Sequence, residues 1–234
     1  MELTLNFVSG HSICHMVIKN DDQSVVKKDI LNEDVANVFS GLSTTDEIYA
    51  VPQFLKSKTP DGYVDGLLYG CRGNNNISGI FFIPGGMQYM NFSGEEMVLP
   101  YPSCIFYLTA CSGVLVDSSC FAVKEKSIEE LREDTQFYAF PFGNVQSENG
   151  SICWGDNNMT GLNSYADLRT AVLKFYSSES NSDYVNPGKS FRGSKTYNEF
   201  LKKLRKHKVF PEDHLVLLPK IFTLGYLLDK SKMC

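Results

Sequence analysis

The chain has 234 residues, of which 43% are hydrophobic and 21% are charged. This length and composition are typical of one large or two small globular domains with a buried core. The net charge of −5 argues against nucleic acid as the main partner, because phosphate binding usually shows as a basic excess. The longest apolar run, residues 215–228, is interrupted by Pro219 and Gly225, so we expect no membrane-spanning segment.

The cysteine pattern is typical of a reducing compartment. The chain has seven cysteines, an odd number, and no two of them are spaced as Cys-x-x-Cys. Cys104, Cys111 and Cys120 lie in apolar, strand-like surroundings, where cysteine acts as a small hydrophobic residue. The first residues lack the basic and apolar regions of a signal peptide. We therefore expect free thiols and a cytoplasmic location.

The first hundred residues are rich in strand patterns. Apolar residues alternate over residues 3–7 and recur over residues 14–18, which predicts an opening β pair. Residues 32–39 form a candidate short helix, and residues 80–83 form a candidate buried strand. No motif in this region indicates its role.

Pro100 and Pro102 mark the expected domain boundary, since closely spaced prolines favour an extended linker or an entry loop. We therefore expect a strand-rich N-terminal region over residues 1–98. A second domain is expected over residues 99–234.

Three apolar runs follow this boundary, at residues 104–110, 114–116 and 120–123. Short polar turns separate the runs, which predicts an antiparallel meander. The capping-box pattern that begins at Ser127 predicts a short helix through Asp134.

Two further helices are predicted towards the end of the chain. Ser164 precedes a helical stripe of apolar residues, and Thr196 with Glu199 forms a second capping box. Residues 177–195 are polar and predict a loop. The apolar segment that begins at Leu215 fits either a strand or a helix. With strands concentrated before helices, the predicted fold class is α+β.

The most informative stretch of the chain is residues 140–154. An Asn149-Gly150 pair favours a tight turn with positive φ. Such a turn brings Cys153 back towards Asn144. A cysteine thiolate can hold an acyl group as a thioester. Transfer of that group to an amine passes through an oxyanion, which an amide N–H such as that of Asn144 can stabilise.

Two other interpretations of Cys153 remain open. A cysteine after such a turn is more often a packed residue, so the motif alone does not establish catalysis. A cysteine hydrolase requires a histidine beside the thiol. The nearest histidine in the sequence is His207, and either His207 or His214 would have to reach Cys153 through the fold.

His11, Cys14 and His15 are the candidate metal ligands, but no metal site is predicted. On a helix the two histidines would share a face. On the expected β pair they are separated, because four residues of strand span about 13 Å. No phosphate-binding loop is present either. We therefore expect no metal and no cofactor.

The stretch resembles the active site of ubiquitin-conjugating enzymes, which reads His-Pro-Asn and then Gly-x-Ile-Cys. Asn144 stands at the asparagine position, and residues 150–153 match the cysteine string. More narrowly, the chain is similar to a bacterial branch of that superfamily, prokaryotic UBC-like family D, known as PRTRC system protein B. In that branch a Phe-Asn-Val-Tyr…Asp-Gly-x-x-Cys-x-Gly pattern takes the place of His-Pro-Asn.

The resemblance implies a ubiquitin-conjugating-enzyme-like domain and a transferase. It implies Cys153 as the acceptor of a ubiquitin-like protein, Asn144 as the oxyanion donor and Asp156 as the acidic residue near the cysteine. The implied partners are a ubiquitin-like protein, a ThiF-like activating enzyme and, in related systems, a JAB-type peptidase. No nucleic acid and no membrane partner is expected.

The sequence also departs from the string of the eukaryotic enzymes. Phe142 and Gly143 replace His and Pro, the interval from asparagine to cysteine is one residue longer, and a downstream Trp-x-Pro segment is missing. These departures favour the rival hypothesis, a non-catalytic binding module that scaffolds a ubiquitin-like protein or an activating enzyme. The retained Asn144 and Cys153 oppose it.

Overall fold

The computed structural model describes residues 2–7, 13–20, 24–31, 47–50, 58–59, 62–185, 194 and 196–231. It divides the chain into two compact units, Met1–Asp46 and Glu47–Cys234. The candidate helix over residues 32–39 and the candidate ligand His11 lie outside the described residues.

The first unit contains an antiparallel sheet of three strands. These are β1 (Glu2–Phe7), β2 (Ile13–Lys19) and β3 (Val25–Leu31), with β2 in the centre. The predicted opening β pair is confirmed, because Leu3 pairs with Ile18 and Phe7 pairs with Cys14.

The described part of the second unit contains twelve strands and three α-helices. The strands are β4 (Glu47–Ala50), β5 (Lys58–Thr59), β6 (Gly62–Tyr63), β7 (Leu67–Arg72), β8 (Asn76–Ile83), β9 (Gly86–Phe92), β10 (Glu95–Tyr101), β11 (Ser103–Cys111), β12 (Val114–Val123), β13 (Tyr138–Ala139), β14 (Glu179–Ser180) and β15 (Val216–Leu217). The helices are α1 (Tyr165–Ser177), α2 (Tyr197–Leu204) and α3 (Leu224–Ser231). No helix among the described residues is long and apolar enough to cross a membrane.

Two sheets organise this unit, and the fold is α+β. The larger sheet has seven antiparallel strands in the order β15-β13-β12-β11-β8-β7-β4. The smaller sheet has the order β10-β9-β14, in which β14 runs parallel to β9. The short strands β5 and β6 pair separately.

One long bent hairpin crosses the expected domain boundary. Ile83 pairs with Cys104 in the larger sheet, and Gly86 pairs with Tyr101 in the smaller sheet. The pairing of the two arms of the hairpin therefore continues from one sheet into the other without a shift in register. Pro102 lies at the bend of this hairpin instead of in a linker. The expected boundary between residues 98 and 99 therefore falls inside β10, and the structure divides the chain elsewhere.

Two local predictions after this bend are wrong. The runs at residues 114–116 and 120–123 belong to the single strand β12, because Ser118 and Ser119 continue its pairing with β11. The helix predicted from Ser127 is only a 3-10 turn, Ile128–Glu130. Its Ser127 side chain makes no capping bond.

The predicted caps of the first two helices are confirmed. Ser164 and Asp167 form a reciprocal capping box at the start of α1, and the Thr196 side chain accepts a hydrogen bond from the Glu199 backbone N–H at the start of α2. The segment from Leu215 contains both alternatives, first the strand β15 and later the helix α3.

The central strand β11 is buried on both faces of the larger sheet. Phe106 and Leu108 face one hydrophobic cluster, which includes the apolar residues of α1. Ile105 and Tyr107 face a second cluster, which includes those of α3. The sheet is therefore covered by a helix on each side, and this burial explains the continuous apolar run of β11.

We expect Phe106→Ala to lower the free energy of unfolding by about 3–5 kcal/mol. The Phe106 ring is fully buried and contacts Phe175 and Tyr176, so its removal leaves a cavity. Urea unfolding followed by circular dichroism measures the loss. The control is Val116→Ala, whose side chain is 60% exposed and should change stability by less than about 0.5 kcal/mol. Equal losses in both variants would contradict this assignment of the core.

Candidate active site

A tight hairpin brings Asn144 and Cys153 together. The Cys153 backbone N–H donates to the Asn144 carbonyl oxygen at 2.8 Å. Inside this bond, the Gln146 N–H donates to the Ser151 carbonyl at 2.9 Å. Asn144 and Cys153, which are nine positions apart in sequence, are therefore adjacent in space.

The predicted Asn149-Gly150 turn closes this hairpin. Gly150 has a φ of +75°, and the Asn149 Oδ1 atom accepts a hydrogen bond from the Ser151 N–H at 2.9 Å. A side chain at Gly150 would overlap the ring of Phe121. The position therefore requires glycine both for its backbone conformation and for its close approach to the core.

The hairpin is attached to the outer edge of β12. The Cys120 N–H donates to the Gly150 carbonyl at 2.8 Å, and Ser151 bridges Ser119. Further along the same edge, the Leu115 N–H donates to the Met159 carbonyl at 3.0 Å. Residues 153–158 connect these two attachments, so Cys153 lies where the chain leaves the sheet.

The Cys153 side chain is half-buried, and its thiol makes no hydrogen bond to a described residue. Among the cysteines whose side chains the structure describes, only Cys111 has similar exposure, while Cys71, Cys104 and Cys120 are buried. A partly accessible thiol at the end of a fixed hairpin can reach an external acyl group.

The Asn144 side chain is held by two hydrogen bonds to the segment around β14. Its Nδ2 atom donates to the Glu179 carbonyl at 2.8 Å, and its Oδ1 atom accepts from the Asn181 N–H at 3.1 Å. Asn144 is only 8% exposed and has a φ of +67°, a conformation that asparagine adopts more readily than most residues. The second N–H of Nδ2 has no acceptor among the described residues.

Phe142 and Gly143, the two departures from the His-Pro-Asn string, have packing roles. The buried Phe142 ring stacks on Tyr101 with 4.2 Å between ring centroids. A side chain at Gly143 would overlap the carbonyl oxygen of Asn181. The small residue therefore lets the β14 segment approach closely enough to bind Asn144.

Tyr197, the first residue of α2, supports the same loop. Its hydroxyl oxygen accepts a hydrogen bond from the Gly143 N–H at 3.1 Å and lies 3.4 Å from Ser180 Oγ. Burial raises the pKa of Tyr197 to about 12. The hydroxyl group is therefore neutral over the physiological range and keeps both contacts.

Trp154, the residue after Cys153, packs against the core. Its Nε1–H donates to Ser118 Oγ at 2.9 Å, and its ring meets Phe175 edge-on at 6.1 Å. The residues after it form a turn in which Gly155 has a φ of +57°. Asp156 lies on this turn, where it is exposed and has no hydrogen bond or ion pair to a described residue.

Neither of the two histidines that a cysteine hydrolase would require contacts Cys153 among the described contacts. His214 packs against Phe200 and Phe210, and no described contact joins His207 or His214 to Cys153. Among the described residues, no group of three or more His, Cys, Asp or Glu side chains is arranged to hold a metal.

Sequence reasoning missed the supports of the hairpin that come from distant segments. The Tyr197 contact joins residues 54 positions apart, and the Glu179 contact joins residues 35 positions apart. The capping box at Thr196 predicted the start of α2, but it contains no signal for the partner of Tyr197. The strand β14 has only two residues and lies in a polar stretch, so it has no strand pattern of its own.

We expect Gly143→Ala to lower the free energy of unfolding by about 1–3 kcal/mol, because the new methyl group overlaps backbone that cannot move freely. Chemical unfolding measures the loss. Gly86→Ala is the matched control, since no heavy atom lies within 4 Å of a side chain added there. A Gly143→Ala variant as stable as this control would show that the β14 segment does not lie against the loop.

Residues 56–218 match prokaryotic E2 family D. The match covers more than two thirds of the chain. It includes the whole hairpin and the residues that hold it, Glu179, Asn181 and Tyr197. No curated protein and no solved structure matches the chain. The chain therefore belongs to prokaryotic E2 family D, a bacterial ubiquitin-conjugating-enzyme-like family, as the string around Asn144 and Cys153 predicted.

Proposed function

We propose that this protein carries a ubiquitin-like protein as a thioester on Cys153 and transfers it to an amine. Membership in prokaryotic E2 family D indicates a role related to ubiquitin-like conjugation, with ubiquitin-like proteins or activating enzymes as general partners. The observation that carries the proposal is the 2.8 Å bond between the Asn144 carbonyl and the Cys153 N–H. This bond keeps Cys153, the proposed nucleophile, and Asn144, the proposed amide donor, in one hairpin.

The first proposed step is thioester exchange. The Cys153 thiolate attacks the carbonyl carbon of the C-terminal glycine that the activating enzyme carries as a thioester. A new C–S bond forms to Cys153, the old C–S bond breaks, and the thiolate of the activating enzyme leaves. The partial exposure of Cys153 and the absence of a described hydrogen bond to its thiol support this role.

The second proposed step is aminolysis. An amine attacks the same carbonyl carbon, the C–N bond forms and the C–S bond breaks. The proton lost by the amine goes to the departing Cys153 thiolate. The remaining N–H of Asn144 Nδ2 is the proposed donor to the oxyanion. Because Glu179 and Asn181 already hold this carboxamide, the donor needs little reorganisation in the transition state. Asp156 is proposed to meet the incoming amine, since its exposed carboxylate has no described partner.

A ThiF-like activating enzyme is the proposed source of the acyl group, and a JAB-type peptidase is the proposed enzyme for its removal. The narrower resemblance to PRTRC system protein B stays a prediction. A non-catalytic scaffold is the alternative that the following experiment distinguishes.

We expect Cys153→Ala to abolish acyl transfer from a model substrate. The probe is a short fluorescent peptide that ends in Gly-Gly and carries a C-terminal 2-mercaptoethanesulfonate thioester. Wild-type protein should form a reductant-sensitive adduct on Cys153, identified by intact mass and peptide mapping. Cys111→Ala is the matched control, because Cys111 is similarly exposed, and it should keep the adduct. An unlabelled Cys153 in wild-type protein, or an unchanged reductant-sensitive adduct in Cys153→Ala, would support the scaffold.

We expect Asn144→Asp to slow discharge of a preformed Cys153 thioester to free lysine by about 10²–10³-fold. The aspartate keeps an acceptor for the Asn181 N–H but has no N–H to offer the oxyanion. Single-turnover discharge measures this step alone, and chemical unfolding measures any loss of stability.

Asn149→Asp serves as the control within the same hairpin, since the carboxylate still accepts from the Ser151 N–H. Its discharge rate should stay close to that of the wild type. Equal rates for Asn144→Asp and the wild type would remove Asn144 from the chemistry.

A further inference from the structure

A cleft of about 440 Å³ opens beside the candidate active site. One wall comes from the segment after Cys153, and the other comes from the end of α1 and the start of β14. Its lining residues are Trp154, Asn157, Asn158, Met159, Lys174, Ser177, Ser178 and Glu179.

Two short connections join this cleft to the hairpin that carries Cys153. Trp154 lines the cleft and directly follows Cys153 in the chain. On the opposite wall, the Glu179 carbonyl is bonded to the Asn144 side chain, whose backbone carbonyl is bonded to the Cys153 N–H. The cleft is therefore fixed relative to the hairpin.

Lys174 is the one lysine that lines this cleft. It lies in the last turn of α1, directly before Phe175, the ring that Trp154 contacts. Its exposed ammonium group has no ion pair with a described residue. A lysine amine on its flexible four-carbon stem can sample the space of the cleft without a partner that holds it elsewhere.

Glu179 adds a carboxylate to the same cleft. A nearby carboxylate attracts a cationic amine and can accept a hydrogen bond from it. The cleft therefore combines an amine and a carboxylate, and one of its lining residues, Trp154, directly follows Cys153 in the chain. Some other described lysines of this unit have ion-pair partners instead, as Lys203 has with Glu199 and Lys230 has with Asp117.

We propose that Lys174 is an acceptor amine for the acyl group on Cys153, so that the protein modifies itself. The inference rests on the proposed thioester. The neutral Lys174 amine attacks the thioester carbonyl, the C–N bond forms and the C–S bond breaks. The proton lost by the amine goes to the departing Cys153 thiolate, and an isopeptide bond to Lys174 remains.

The same fluorescent Gly-Gly thioester peptide tests this inference on the full chain. After removal of excess peptide, the Cys153 thioester should convert to a reductant-resistant adduct that peptide mapping assigns to Lys174. Because the step is intramolecular, its rate should be first order and independent of protein concentration. Lys174→Arg should lower the reductant-resistant fraction of the thioester formed by more than about tenfold.

Lys202→Arg is the matched control, because Lys202 is an exposed lysine on α2 with no ion pair to a described residue. It should convert as the wild type does, and Cys153→Ala should give no Lys174 adduct. If the thioester forms but Lys174 stays unmodified, or if conversion is unchanged in Lys174→Arg, the self-modification is wrong and the carrier function stands. If no thioester forms on Cys153, both fail.

Discussion

The Asn144 carboxamide makes the interaction on which the candidate site depends. The hairpin that contains Asn144 is attached to the edge of β12 in the larger sheet. The Asn144 side chain, in contrast, is hydrogen-bonded to the backbone of Glu179, in β14 of the smaller sheet, and of Asn181, just after it. The oxygen and one N–H of this buried side chain are therefore bonded to backbone groups of another segment, which leaves one N–H without a described acceptor. The Cys153 backbone N–H is hydrogen-bonded to the Asn144 carbonyl, so the position of Cys153 depends on this link between the sheets.

The two residues before Asn144 are consistent with this constraint. Gly143 leaves room for the Asn181 carbonyl, and its N–H is held by Tyr197. Phe142 fills the aromatic cluster around Tyr101. The loss of His and Pro from the string of the eukaryotic enzymes therefore has a structural explanation and does not by itself argue against chemistry at Cys153.

Most features that depend on neighbouring residues could be predicted from the sequence, although the cap predicted at Ser127 does not form. The caps at Ser164 and Thr196 and the turn at Gly150 depend on local hydrogen bonds and backbone conformation, and the structure contains all three. The turn predicted at Ser118 was wrong because pairing with β11 and with the hairpin outweighs local polarity. Closely spaced prolines do not specify the bend of a hairpin at Pro102, because that bend follows only from long-range pairing.

The site itself was predictable only in part for the same reason. Asn144 and Cys153 are joined by a short hairpin, so their proximity follows from the turn. The bonds from Asn144 to Glu179 and from Gly143 to Tyr197 bridge distant segments, and no local pattern encodes them. The cleft of Lys174 likewise exists only after α1 and the hairpin pack together.

In the proposed mechanism, Asn144 offers its remaining N–H to the acyl group on residue 153. A crystal structure of Cys153→Ser that carries a Gly-Gly peptide as an ester tests it directly. We expect the ester carbonyl oxygen about 3 Å from Asn144 Nδ2, with the bond from Nδ2 to the Glu179 carbonyl still in place. An ester carbonyl that points away from Asn144, or an Asn144 side chain released from Glu179, would contradict the account.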